Sequence, residues 1–146
     1  CFIMDYLKVL VEEIHSVVVA TVDETGHPHT AVMDMMWEDG KTVYFLTADF
    51  KPLYKRLKED GRVALTGMTQ GAGTMDRKSI SLTGQVEWIG KEHLEELLKA
   101  NPYMYEIYPT EEGRSHLQVF RFKNAVGNFY DLTQLPPYQA RFEIEG

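Results

Sequence analysis

Lys78–Ile89 carries the clearest period in the chain. Ile80, Leu82, Gly84, Val86 and Trp88 fall on one face, and Ser79, Ser81, Thr83, Gln85 and Glu87 on the other. Alternation of this kind predicts a strand with one face toward a core. The β-branched run Val17–Asp23 predicts another, ended by the turn residues Glu24-Thr25-Gly26. His27–Trp37 predicts a third, closed by Glu38-Asp39-Gly40. Asp-Gly between apolar runs predicts a type I′ hairpin, whose two central residues both need positive φ. Thr42–Thr47, Arg62–Met68, Leu117–Lys123 and Ala125–Tyr130 follow as strands, and the proline-broken tail Gln134–Pro137 leads to a short candidate strand over Gln139–Ile144. Gly67 marks a bulge or a close backbone approach.

Helical spacing occurs in three places. Leu7, Leu10, Val11 and Ile14 share a face, predicting a helix capped by Asp5 and running to about His15. Pro52–Glu59 predicts a short helix with Leu53, Tyr54 and Leu57 inward, Pro52 at the first helical position and Gly61 as its stop. Lys91–Ala100 predicts a third, with Leu94, Leu97 and Leu98 inward, ended by Asn101-Pro102. The aromatic stretch Tyr103–Thr110 has no such period; its tyrosines suit core contacts, subunit contacts or the cover of a bound ring. The strands are joined by hairpins too short to hold crossover helices, so the sheet is largely antiparallel. The expectation is a mainly β protein, a barrel of six to seven antiparallel strands with a few helices, in one domain over residues 1–146.

Charge narrows the partners. Fifteen basic against 22 acidic residues give a formal charge of −7, which lacks the basic footprint of a nucleic-acid protein. No run approaches the length of a membrane span. Cys1 is the single cysteine, which excludes an intrachain disulfide and a cysteine metal cluster and makes a reduced cytoplasmic setting the default.

Candidate chemistry centres on Lys51. It sits at or just before a proline-started helix, among backbone N–H groups without partners, which outlines an anion site. A cation is otherwise disfavoured at that end of a helix. Asp49, two residues earlier, offers a competing helix cap or ion-pair partner. His27 and His29 share a strand face, but no acid joins them at metal-ligand spacing, so no metal is expected. Gln70-Gly71-Ala72-Gly73 lacks both nucleotide-loop patterns and reads as a flexible connector. Asp34, set among Met33, Met35 and Met36, needs a partner or exposure; a lysine or arginine at a subunit interface would serve.

The order of motifs GHPHTAVMDMMWEDG (Gly26–Gly40), VYFLTADFKPLYKRL (Val43–Leu57), RVALTG (Arg62–Gly67) and SISLTGQVEW (Ser79–Trp88) resembles the pyridoxamine 5′-phosphate oxidase-like split-barrel family. The similarity spans about Met4–Asp131 and is nearest to small bacterial flavoproteins of the nitroimidazole-resistance type. The resemblance implies an FMN-binding split barrel, a homodimer with each FMN in a cleft contacted by both chains. Thr30, Ala31, Val32 and Met33 would then lie along the flavin. Thr47, Lys51 and Pro52 would form the phosphate seat, Lys78 and Ser79 would reach the cofactor, and Asn128 and Phe129 would fall where the partner subunit closes over the ring. True pyridoxamine phosphate oxidases carry an arginine where Ala31 stands and Arg-Lys where Lys51-Pro52 stand. They also have a C-terminal arginine-histidine segment with no counterpart in Asp131–Gly146. The resemblance therefore implies an FMN-dependent oxidoreductase between a reduced donor and a small acceptor, rather than a vitamin B6 oxidase. The alternative it leaves open is a non-catalytic binder of flavin, or of haem or a deazaflavin.

Overall fold

The computed structural model describes residues 2–145; Cys1, read above as the single cysteine, and Gly146 lie outside them. Helix α1 (Ile3–Lys8) runs straight into a π-helical segment, Val9–Ile14, and Tyr6, Leu7, Leu10 and Ile14 are buried. Asp5 is not the cap: Phe2 holds that position in extended backbone, and Asp5 lies in the first turn, where an acid still favours the helix dipole.

Strands β1 (Ser16–Val22) and β2 (Pro28–Asp34) pair from Ser16↔Asp34 to Val22↔Pro28. Asp23 holds their turn, its carboxylate accepting from the N–H groups of Thr25 and His27. The long strand expected over His27–Trp37 is divided. Met35 N–H donates to His15 C=O at 2.7 Å and Met36 N–H to Tyr44 C=O at 3.0 Å. The chain thereby leaves β1 and enters a two-residue strand β3 (Trp37–Glu38) against β4 (Val43–Ala48). Met35 is buried in the larger core cluster and Met36 in the smaller, which fixes the point of exchange. Gly40 alone has positive φ in the following loop, so the expected type I′ turn is absent. Asp39 closes a longer loop instead, accepting from the N–H groups of Lys41 and Thr42 at 2.9 Å each.

Helix α2 (Pro52–Glu59) stops at Gly61, φ 78°, as its sequence predicts, and β5 (Arg62–Met68) follows. Strand β6 (Lys78–Gly90) keeps the alternation through Val86. Trp88 lies at the margin of that same face, paired with Phe120 and edge-on to Tyr54 of α2, and its ring stays exposed under the Lys58 ammonium, 4.4 Å from the centroid. Helix α3 (Leu94–Ala100) starts three residues later than expected, a short helix α4 (Met104–Ile107) occupies the aromatic stretch, and α5 (Glu111–Arg114) follows it. Strand β7 is one element, Leu117–Asp131, where two were expected. Gln85 pairs with Asn124 but Val86 with Phe122, so a bulge at Lys123 absorbs the break. Strand β8 (Tyr138–Ile144) completes eight strands against the six to seven expected.

The order is β2-β1-β5-β6-β7-β4-β3, with β8 on the second half of β7, and every pairing is antiparallel. Because β2 and β3 are successive parts of one run, this order closes on itself as a barrel split between β2 and β4. Inward rows such as Val17-Val19 and Ile80-Leu82 meet Leu7 and Leu10 in the larger core, and Leu53 and Leu57 of α2 join it. Among the described residues no helix is long and apolar enough to cross a membrane.

Candidate functional site

Strand β4 delivers its last residues, Thr47 and Ala48, to the start of α2. Lys51 N–H donates to Ala48 C=O at 3.1 Å, and Lys51 itself takes the cap position with extended backbone and no side-chain cap. Asp49, the competing acid, is held elsewhere. Its N–H donates to His116 C=O, and its carboxylate lies 2.9 Å from His116 Nδ1, which makes Nδ1 the donor. Gln118 Nε2 adds a second donor at 3.4 Å. The exposed Lys51 ammonium is left without an acidic partner among the described residues. Four residues earlier, at the end of β4, Thr47 is 3% exposed and its Oγ1 is buried with no hydrogen-bond partner among the described residues. An uncapped helix start, a free ammonium and an orphaned hydroxyl fit a phosphoryl group, which offers several acceptor oxygens and negative charge.

Strand β2 is the edge of the order, so its side away from β1 carries backbone groups without a strand partner. Ala31 and Met33 pack inward on the core, whereas Thr30 and Val32 face out and Val32 is 71% exposed. A free backbone edge beside an apolar surface suits the polar rim and flat face of a flavin-like ring.

The remaining predicted residues separate. Val32 and Ser79 line one cavity of about 540 Å³, together with Arg77. Ser79, Asn128 and Phe129 line a second of about 430 Å³. The Phe129 ring is buried, 5.2 Å from Tyr6, so its share of that cavity is largely backbone. Lys78 belongs to the other row of β6, and its Nζ lies 3.3 Å from Glu13 Oε1. Within one chain Lys78 and Ser79 therefore serve different places. Arg77 escaped the sequence reading, yet its signal was present: the outward row of Ser81 and Ser79 extended one step back reaches it.

Asp34 needs no lysine or arginine. Ser16 Oγ and Tyr103 Oη each donate to its carboxylate at 2.7 Å, and His15 Nε2 lies 2.7 Å from that same Tyr103 oxygen. Burial, then the hydrogen bond to Asp34 and its charge, hold the Tyr103 hydroxyl well above the usual phenol range. His15 takes this place with φ 62° at the end of the π-helical segment. His29 is spoken for as well, its Nε2 lying 2.8 Å from Asp23 Oδ2.

Comparison with curated proteins gives no match. Among solved structures, a NimC/NimA family protein from Clostridium acetobutylicum superposes with a TM-score of 0.73 at 20% identity, covering 96% of this chain and 88% of that one. A protein from the same organism related to general stress protein 26 of B. subtilis, of the pyridoxinephosphate oxidase family, gives 0.67 at 22%, covering 97% and 94%. A heme binding protein from Mycobacterium smegmatis gives 0.70 at 13%, covering 94% of this chain and 57% of that one. At these identities the likeness speaks for the fold. The family model described as pyridoxamine 5′-phosphate oxidase matches residues 3–130, and the chain belongs to that family.

Proposed function

We propose that the chain is an FMN-binding flavoprotein, a cytoplasmic homodimer that passes electrons from a reduced donor to a small-molecule acceptor. The observation that carries this reading is the pairing of an unpartnered Lys51 at an uncapped helix start with the orphaned Thr47 hydroxyl. Lys51, at the start of α2, would hold the phosphate through its ammonium, and Pro52 would keep that turn preorganised. The free edge of β2, from Thr30 to Met33, would orient the ring through backbone groups. The flavin itself supplies the electron-transfer chemistry when bound.

The two-chain cleft is supported by the outward face of the sheet, where Val18, Val32, Val126 and Tyr130 are exposed among small residues. Such a face suits a second copy. Ser79, Asn128 and the backbone at Phe129 would then approach the flavin bound by the partner, while Lys78 stays turned toward Glu13. The protein as purified is expected to be yellow, to release FMN by mass on denaturation, and to bleach with NADH or NADPH. A colourless protein that takes up no added FMN overturns the proposal.

A second reading, a carrier of flavin, haem or a deazaflavin without turnover, draws support from the likeness to the heme binding protein and to an F420 reductase. Bound flavin that no reduced nicotinamide bleaches, or a haem Soret band, would favour it.

A further inference from the structure

Arg77 precedes β6 and continues its outward row. The residue lines a cavity whose wall holds no acid, and its Nε, packed away from water, has no hydrogen-bond partner among the described residues. Lys78, next in the chain, is drawn the opposite way toward Glu13. The cavity wall gathers three of the chain's exposed large apolar side chains: Val18 at 45%, Val32 at 71% and Met68 at 54%. Ser16, Thr66 and Gln70 add neutral polar groups. Its volume of about 540 Å³ lies in the range of small-ligand sites.

We propose that this cavity binds a small organic carboxylate, with Arg77 as its charge anchor and the outward valines and Met68 as the wall for its apolar body. A buried Nε–H without an acceptor is costly, and a carboxylate is the group whose two oxygens match the planar fork of the half-buried guanidinium. An apolar wall without acids repels no anion and gives a cation nothing to pair with. The carboxylate binding rests on the cavity alone. That this carboxylate sits beside the ring as the electron acceptor rests further on the flavin reading, because Val32 and Ser79 are shared.

Benzoate and its uncharged shape match benzamide test this on the full chain as purified, by calorimetry and by amide shifts of Gly67, Gly71 and Ser79 in NMR titrations. Benzoate is expected to saturate those shifts and to bind about tenfold or more tightly than benzamide. Arg77→Met should remove that advantage and leave benzamide binding unchanged, and Arg77→Lys should restore part of it. Arg77→Gln replaces the Met variant if that one does not fold. Equal binding of the two probes overturns the proposal, as does full benzoate affinity in Arg77→Met. So does a wild type blind to benzoate whose dimer falls apart on Arg77→Met, since the guanidinium then serves an acid of the second copy. Benzoate discrimination in a protein that takes up no FMN would remove the flavin reading and keep this one.

Discussion

Replacing Thr47 with valine should move stability and ligand affinity in opposite directions. The side chain is 3% exposed and its hydroxyl has no partner, so the ligand-free fold carries an unmade hydrogen bond. That omission costs about 1–3 kcal/mol, and valine keeps the shape and the strand preference without it. The ligand-free Thr47→Val protein should therefore gain on the order of 1 M in its urea midpoint, since a urea slope is roughly 1–3 kcal/mol per molar. The same hydroxyl, once it donates to a phosphate oxygen, contributes to binding, so FMN affinity should fall by roughly 5- to 100-fold. Urea unfolding at one fixed protein concentration, followed by titration of FMN fluorescence, reads both effects. Fixed concentration matters because a dimer's apparent stability depends on it. A lower midpoint in the valine variant would mean that the hydroxyl is satisfied after all. A higher midpoint with wild-type FMN affinity would remove Thr47 from the phosphate seat.

Lys51→Ala should weaken FMN binding by about tenfold or more without changing the urea midpoint, because it removes one charge-assisted contact and little packing; wild-type affinity would reject the anchor. Gly127→Ala should destabilise by about 1–3 kcal/mol, since a Cβ there would collide with the Phe142 ring. Adding Phe142→Leu should recover part of that loss in the same unfolding assay, and an unshifted midpoint for the single variant would contradict the packing. Acid should weaken the Asp39 loop. Burial pushes its carboxyl up, but hydrogen bonds from Tyr44 Oη and the N–H groups of Thr42 and Lys41 outweigh it and hold the group below the usual carboxylate range. A lowered folded value means the stabilisation is complete above about pH 4 and is lost as pH falls through the folded value. Asp39→Asn should thus shrink the drop in urea midpoint between pH 5 and pH 3, and an equal drop in both proteins would refute this.

Periodicity alone reached the strands of the barrel, because a half-buried sheet imposes alternation residue by residue, and Val17-Val19 and Ile80-Leu82 obey it. It also placed α2, whose proline start and glycine stop are local signals. The exchange of β2's partner at Met35-Met36 was not legible, since it depends on which of two cores receives each methionine. Nor was the unity of β7, where a bulge opposite Gln85 carries the strand past Asn124. The contrast is sharpest at the candidate site. Lys51-Pro52 could be read as an anion seat from helix chemistry, because an uncapped helix start is a property of neighbouring residues. Whether Asp49 would neutralise it depended on His116 and Gln118, more than sixty residues away, and the closing of the barrel brought them to it. Arg77 shows the same division: its outward direction follows from alternation, but its lack of a partner follows from what the folded sheet places around it.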